Sequence, residues 1–126
     1  MPLVTITAQG KKSREFKQGV FASVHDALVS IGVSKDDRFL RFIELDESSF
    51  EYHPTFPDAA SPRTSDFVLI EILLGSGRSV KLKRQLVEQI ARGLREHGLD
   101  PEHAMVCLQD VPWENWSPAG GRLPHA

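Results

Sequence analysis

Cysteine, long apolar segments and an excess of charge of one sign are scarce in this sequence, and each scarcity excludes a class of protein. Cys107 is the only cysteine, so no disulfide can form within the chain, as is typical of proteins in a reducing compartment. The longest apolar run, Phe67 to Leu74, is interrupted by Glu71 and is too short to cross a bilayer. The formal net charge is -2 without a basic stripe, which argues against a nucleic-acid partner.

The remaining composition is that of an ordinary globular protein. Of the 126 residues, 40% are hydrophobic and 25% are charged, a balance that suits one compact domain with one core. The N-terminal residues 1–10 contain neither a basic segment nor an apolar segment of the kind found in signal peptides. We therefore expect a cytoplasmic protein with a single domain over residues 1–126 and no membrane partner.

The chain contains an internal repeat. Residues 3–42 resemble residues 69–108 without a gap, mostly through apolar pairs such as Leu3 with Leu69, Val20 with Leu86, and Leu28 with Leu94. This period is too long for a solenoid and indicates one supersecondary unit that is used twice.

Each unit is predicted to be a strand, a helix and a second strand. In the first unit, Leu3 to Thr7 is rich in β-forming residues, Ser13 is a helix N-cap, Gly32 ends the helix and Phe39 to Leu45 forms the return strand. The second unit repeats this order, with strands at Phe67 to Leu74 and Ala104 to Leu108 around a helix between Ser79 and Gly98.

These units predict an α+β fold. Parallel strands joined by a helix cross over in the right-handed sense, so two consecutive β-α-β units form a four-stranded mixed sheet with both helices on one face. The polar segment between the units, Asp46 to Asp66, is predicted to be mostly loop, and Phe50 to Tyr52 could add a short extra strand.

Pro2 is the first candidate for chemistry. Aminopeptidases of the cytoplasm usually remove Met1 when a small residue follows, and the chain would then begin with the secondary amine of proline. Such an amine can act as a general acid or base. The alternative is that Met-Pro is simply a permissible start.

Four stretches, and a fifth in the C-terminal tail, resemble the tautomerase superfamily, which is built on the 4-oxalocrotonate tautomerase unit. Their order and spacing, together with the chain length and the two β-α-β units, carry the resemblance over almost the whole chain. The nearest branch includes malonate semialdehyde decarboxylase. The stretches are Pro2-Leu3-Val4, His25-Asp26-Ala27-Leu28, Asp36-Asp37-Arg38-Phe39, Gly77-Arg78-Ser79, and Glu114-Asn115-Trp116-Ser117 followed by Gly120-Gly121.

The resemblance implies roles for four residues. Pro2 matches the catalytic amine, and Asp37 matches an aspartate that works beside the proline in the decarboxylase. Arg78 matches an arginine that binds the substrate carboxylate, which agrees with its place in a glycine loop before a helix N-terminus. Trp116 matches an aromatic wall of the pocket. The resemblance also implies a homotrimer with sites near the subunit interfaces.

The chain departs from the decarboxylase pattern at two places. One type of decarboxylase has a second arginine where this chain has Ser76, and the decarboxylases have Phe-Gly after Trp-Ser where it has Pro118-Ala119. The tail is also shorter. These departures favour keto–enol tautomerisation of a small 2-keto or enol carboxylate, with decarboxylation or hydration of a 3-oxo acid as the alternative. A non-catalytic binding or assembly module is the alternative of another class.

The residues themselves leave other interpretations open. Arg78 could be a solvated residue near a helix start, Asp37 could cap a turn or pair with Arg38 or Arg41, and Trp116 could pack at an interface. His25 is expected to be a buried or edge residue and not a catalyst, and Cys107 to be a small core residue. His53 and its neighbours are expected to lie in a variable segment that could line a pocket mouth. The sequence contains no phosphate loop and no metal-ligand spacing, so we expect no cofactor and no metal.

Overall fold

The computed structural model describes residues 1–124, which form two β-α-β units joined by a loop-rich segment. Two short 3-10 turns, Glu47–Ser49 and Pro101–His103, lie in the connections, and a third, Trp113–Asn115, lies in the tail after the last strand. The main elements in chain order are β1 (Pro2–Gln9), α1 (Arg14–Ser30), β2 (Leu40–Leu45), β3 (Val68–Gly75), α2 (Val80–Glu96) and β4 (Ala104–Val111).

The four strands form one mixed sheet in the order β2-β1-β3-β4, which confirms the predicted α+β fold. Within each unit the two strands are parallel, because the helix between them returns the chain to the end of the sheet at which the first strand began. The units meet through β1 and β3, which are antiparallel, with Pro2 opposite Leu74 and Ala8 opposite Val68. The start of β1 therefore lies beside the end of β3.

Both predicted helix caps are present. The hydroxyl of Ser13 accepts a hydrogen bond from the Phe16 amide at 3.0 Å, and that of Ser79 accepts one from Leu82 at 3.2 Å. Such a bond satisfies one of the amides that a helix N-terminus leaves unpaired. Gly32 and Gly98 follow the helices with φ angles of +105° and +76°, which side chains rarely permit.

One core fills the space between the helices and one face of the sheet. Alternate residues of the two central strands are buried there because successive side chains of a strand point to opposite faces. The buried residues of the helices recur every three or four positions. The most deeply buried of them are Val4, Ile6, Ala8, Ile70, Ile72, Leu74, Val20, Val24, Leu28, Leu86, Ile90 and Leu94.

Within residues 1–124, the opposite face of the sheet has no helix over it. Leu3 and Met105 are 38% and 40% exposed there, and Leu69 and Leu73 are half-buried. Cys107 also lies on this face and is exposed, so the prediction that it is a core residue is wrong for the single chain. Its place follows from β4, where Val106 and Leu108 point to the core on either side of it.

The segment between the units forms no extra strand at Phe50 to Tyr52. Phe50 and Tyr52 instead stack with Phe67, at ring-centroid distances of 6.0 Å and 4.5 Å. The Tyr52 hydroxyl donates to the Thr64 carbonyl at 2.8 Å, and burial raises the pKa of Tyr52. This aromatic packing holds the segment in place without the hydrogen bonds of a β-strand. Within residues 1–124, the helices lack the length and apolar character that a membrane crossing requires.

Candidate active site

The start of β1 brings the predicted catalytic residue to a buried position. Pro2 is buried and pairs with Leu74 at the end of β3. Met1, which precedes it, makes two polar contacts. Its amino group lies 3.5 Å from Asp37 Oδ2, and its carbonyl oxygen accepts a hydrogen bond from the Gly75 amide at 3.2 Å. The peptide bond that joins Met1 to Pro2 is thus held between Asp37 and the end of β3.

Asp37 lies in the connection between α1 and β2. Its amide donates to the Ser34 carbonyl at 3.0 Å, and a His25 ring nitrogen contacts the Lys35 carbonyl at 2.9 Å. His25 is buried, as expected, and thereby fixes the turn that carries Asp37. The second carboxylate oxygen, Oδ1, is buried without a hydrogen-bond partner among the described residues. The ion pair of Asp37 is with Met1 and not with either neighbouring arginine.

Arg78 lies in the loop between β3 and α2. Gly77 before it has a φ angle of +114°, which lets the loop turn sharply into the helix. The guanidinium donates through Nη1 to the Gly75 carbonyl at 2.9 Å, so the side chain folds back toward the end of β3. Arg78 is half-buried, and it pairs with no carboxylate within residues 1–124.

Lys12 is the counterpart of Arg78 in the first unit, since each residue directly precedes a capping serine. Its ammonium lies 3.6 Å from Asp66 Oδ1 and also donates to the Ser65 carbonyl, and the side chain is only 8% exposed. The loop cation of the first unit is therefore already paired with a carboxylate of the same chain. The loop cation of the second unit remains able to bind an anion from solution.

The two tryptophans of the tail make different contacts. Trp116 is half-buried, and its Nε1 donates weakly to the Val111 carbonyl at 3.3 Å. Trp113 makes the closer contact, because its Nε1 donates to the Ser76 carbonyl at 2.7 Å. Its ring also lies so close to Gly75 that a Cβ there would meet ring carbons at 2.4 Å. Trp113 thus fixes the start of the loop that carries Arg78.

Sequence reasoning missed the contribution of Trp113 and Gly75. Gly75 ends β3 without a positive φ angle, so its lack of a side chain serves a close approach and not a turn. The available signal was a glycine at the end of an otherwise apolar strand. The partner ring, 38 positions later, could not be identified from spacing alone.

Other polar groups lie away from this region. His53 lines a cleft of about 290 Å³ with Phe56, Arg63 and Met105, at a distance along the sheet from Pro2. A second cleft, of about 270 Å³, lies at the end of the sheet away from Pro2 and is lined by Asp66, His103 and their neighbours. None of the four predicted site residues lines it. Among the residues that the structure describes, no group of three or more His, Cys, Asp or Glu side chains is arranged to hold a metal ion.

The structure thus brings Pro2, Asp37 and Arg78 to one end of the sheet, with Trp116 close by on the tail. Residues 37–119 match a family model described as a tautomerase enzyme. The chain belongs to the tautomerase family. A search of the curated proteins gives no match.

Solved structures of tautomerase-superfamily proteins share the fold. The FG41 malonate semialdehyde decarboxylase inhibited by 3-bromopropiolate superposes with a TM-score of 0.86 and 23% identity, over 96% of this chain and 92% of that one. A second malonate semialdehyde decarboxylase gives 0.85 and 21%, over 96% and 93%. A fused 4-OT in a symmetric trimer gives 0.74 and 20%, over 95% and 94%. Similarity at these identities establishes the fold alone.

Proposed function

We propose that this protein is a keto–enol tautomerase in which the amine of Pro2 transfers a proton to or from a small 2-keto or enol carboxylate. Removal of Met1 converts the Pro2 nitrogen from an amide, which has no basicity at neutral pH, into a secondary amine. Membership of the tautomerase family and the buried, strand-held position of Pro2 support this proposal. The sheet would hold the amine in one orientation, as a general acid or base requires.

Arg78 is proposed to hold the substrate carboxylate. The observation that carries this proposal is the state of its side chain. The cation is half-buried beside the end of β3, bonded to a backbone carbonyl and paired with no acid within residues 1–124. Its counterpart Lys12 has a resident carboxylate. A guanidinium with free N–H groups can grip a carboxylate through two hydrogen bonds.

The proposed cycle moves one proton at each of two atoms. Protonated Pro2 gives its proton to the carbon of the enol double bond, while the enol hydroxyl loses its proton to solvent. The product is the 2-keto acid, and the neutral amine regains a proton from water. Asp37, whose carboxylate lies at the N-terminus, is proposed to orient the protonated amine through an ion pair in this step. Trp116 is proposed to flank the substrate.

Decarboxylation or hydration of a 3-oxo acid is the second candidate. The specific observation in its favour is Oδ1 of Asp37 beside the N-terminus, which is buried without a hydrogen-bond partner within residues 1–124. Against it stands Ser76, at the position where one type of decarboxylase has a second arginine. A single cation suits a monocarboxylate substrate with one anchoring point.

A homotrimer is proposed because, within residues 1–124, no helix packs against one face of the sheet. Leu3 and Met105 are exposed on this face, next to half-buried Leu69 and Leu73. Monomeric proteins rarely leave a contiguous apolar surface of this kind exposed. The similar fused 4-OT is described as a trimer, which supports the same assembly here.

The test is ultraviolet detection of the ketonisation of phenylenolpyruvate, with protein whose intact mass shows loss of Met1. The Pro2→Ala variant, in which a primary amine replaces the secondary amine at the N-terminus, is the matched comparison. We expect the variant to lose about a hundredfold or more in kcat/KM, the usual scale for a general acid–base group. Equal rates above the uncatalysed rate would exclude Pro2 as the catalyst, whereas inactivity of both proteins with this substrate and with a 3-oxo acid would favour a non-catalytic module. If both proteins are inactive, a 3-oxo acid tests the second candidate.

A further inference from the structure

The cleft of about 290 Å³ beside the starts of β3 and β4 takes no part in the chemistry proposed at Pro2. Leu69, on one of its walls, precedes Leu74, which pairs with Pro2, by five positions. At about 3.3 Å per residue this separation is about 17 Å along the strand. The volume is at the lower end of the range for small-molecule sites, about 300 to 1,000 Å³. The cleft is therefore separate from the proposed active site and large enough for a small ligand.

The walls of this cleft are mostly apolar. Phe67 is buried, whereas Phe56 is 70% exposed. Tyr52 stacks on Phe67, and its hydroxyl already donates to a backbone carbonyl, so that it offers a ligand mainly its ring. Leu69 and Met105 extend the walls onto the uncovered face of the sheet, where the trimer is proposed to form. An apolar group would gain from burial here, and a neighbouring subunit is the competing occupant.

Arg63 places a positive charge in these apolar surroundings. The side chain is half-buried, and its guanidinium carbon lies 5.4 Å from the centroid of the Phe67 ring. Its Nη1 donates to the carbonyls of His53 at 2.7 Å and of Phe56 at 2.6 Å, which hold the guanidinium in place. Within residues 1–124, Arg63 pairs with no carboxylate and Nη2 donates to no acceptor. A fixed guanidinium with free N–H groups is suited to bind a carboxylate.

His53 contributes a second donor to the cleft. Its Nδ1 accepts hydrogen bonds from the amides of Thr55 at 3.0 Å and Phe56 at 2.8 Å, so the proton of the neutral ring is on Nε2. Among the groups that the structure describes, Nε2 has no acceptor. Glu51 also lines the cleft, but it is exposed and forms no ion pair with Arg63. Donors thus predominate among the polar groups that are free to meet a ligand.

We propose that this cleft is a second ligand site, which takes a monocarboxylate with an apolar body. The carboxylate accepts hydrogen bonds from Arg63, and the apolar body lies against Phe56, Phe67 and the Tyr52 ring. A neutral ligand would leave the guanidinium without an anion, and a cationic ligand would be repelled by it. The inference goes beyond the proposed function and does not depend on it, because the cleft contains none of the residues proposed to act at Pro2.

The experiment uses Tyr52, the only tyrosine of the chain, as a reporter within the cleft. Full-length protein with a ¹³C-labelled tyrosine ring is titrated and followed by nuclear magnetic resonance. The ligands are 4-phenylbutanoate and its neutral amide, 4-phenylbutanamide, which have the same apolar body. Arg63→Met removes the cation of the cleft. Arg78→Met, which removes the unpaired cation at the other end of the sheet, is the matched control.

We expect both ligands to shift the Tyr52 signals in a saturable manner. The carboxylate should bind about tenfold or more tightly than the amide, the scale of a hydrogen bond to a charged group. Arg63→Met should remove this preference and leave the affinity for the amide unchanged, whereas Arg78→Met should leave both titrations unchanged. If Arg63→Met binds neither ligand, Arg63→Lys, which keeps the charge, decides. A preference for the carboxylate in that variant supports the inference, and its absence overturns the inference.

Three other results would show that the inference is wrong. The first is that neither ligand moves the Tyr52 signals, as expected where a neighbouring subunit fills the cleft. The second is that the native protein binds both ligands equally, which would make the cleft an apolar surface without a role for the cation. The third is that the preference for the carboxylate persists in Arg63→Met, which would assign it to another group.

Discussion

The two β-α-β units are built alike and differ where chemistry is proposed. Each helix begins after a capping serine, and each unit has an ion pair between its helix and its return strand. Lys17 pairs with Glu44 at 3.3 Å in the first unit, and Lys83 pairs with Asp110 at 2.9 Å at the equivalent place in the second. The shared features are those that the fold needs, so both copies retain them.

The loops before the two helices show the contrast most clearly. Lys12 is enclosed and has Asp66 as its partner, whereas Arg78 is half-buried and binds only a backbone carbonyl among the groups described. The first strands of the two units also start differently. Strand β1 begins with Pro2, next to the N-terminus, whereas β3 begins with Val68 in the middle of the chain. Only one end of the sheet therefore combines an N-terminus with an unpaired cation.

The largest effect is expected from removing the two loop cations separately. Arg78→Met and Lys12→Met each delete a charge and keep a linear side chain. We expect Arg78→Met to lower kcat/KM for phenylenolpyruvate about a hundredfold, since two charge-assisted hydrogen bonds at about 1.5 kcal/mol each are lost. Lys12→Met should leave kcat/KM unchanged and lower the free energy of unfolding. Equal losses of activity in the two variants would remove the distinction between the units.

A second effect concerns the contact of Gly75 with Trp113. Gly75→Ala places a methyl group where the indole ring lies, and we expect it to lower the free energy of unfolding by about 2 kcal/mol, as overpacking usually does. Urea unfolding at a fixed protein concentration measures this loss. In a Trp113→Ala background the same substitution should cost much less. An equal cost in both backgrounds would show that the ring is not the obstacle.

The smallest effect is a pH dependence at the other end of the sheet. The Lys12 amide donates to Glu44 Oε2 at 2.6 Å and, with the Lys17 ammonium, holds the pKa of this exposed carboxyl below its ordinary value of 4.5. A lowered pKa stabilises the fold above that ordinary value, and the gain is lost as pH falls through the lowered pKa. Glu44→Gln should therefore be slightly less stable than the native protein near pH 7 and equally stable in acid. A difference that persists in acid would contradict the ion-pair explanation.

The sequence predicts the fold well because the pattern that encodes it is repeated. Both capping serines and both terminating glycines are local signals, and the apolar spacing of each unit fixes which face of its helix is buried. The possible strand at Phe50 to Tyr52 does not form because those rings pack on Phe67 instead, a tertiary contact that β propensity does not contain.

The candidate site is predicted less completely, for a similar reason. Family resemblance identifies Pro2, Asp37 and Arg78, and the sheet register brings them together. The contact between Trp113 and Gly75 depends on how the end of β4 turns against the end of β3, and neither residue indicates this alone. The exposure of Cys107 depends on which face of β4 points to the core. Val106 and Leu108 point to it, so Cys107 between them points to the other face.

The most direct test of the central proposal, catalysis by the Pro2 amine, compares the same chain with and without Met1. Both forms are assayed for ketonisation of phenylenolpyruvate, after intact mass has established the N-terminus of each. Because only the form without Met1 has a basic nitrogen at Pro2, we expect activity in that form, and in the other only the activity that its residual processed fraction explains. Equal rates per molecule in the two forms would contradict catalysis by Pro2.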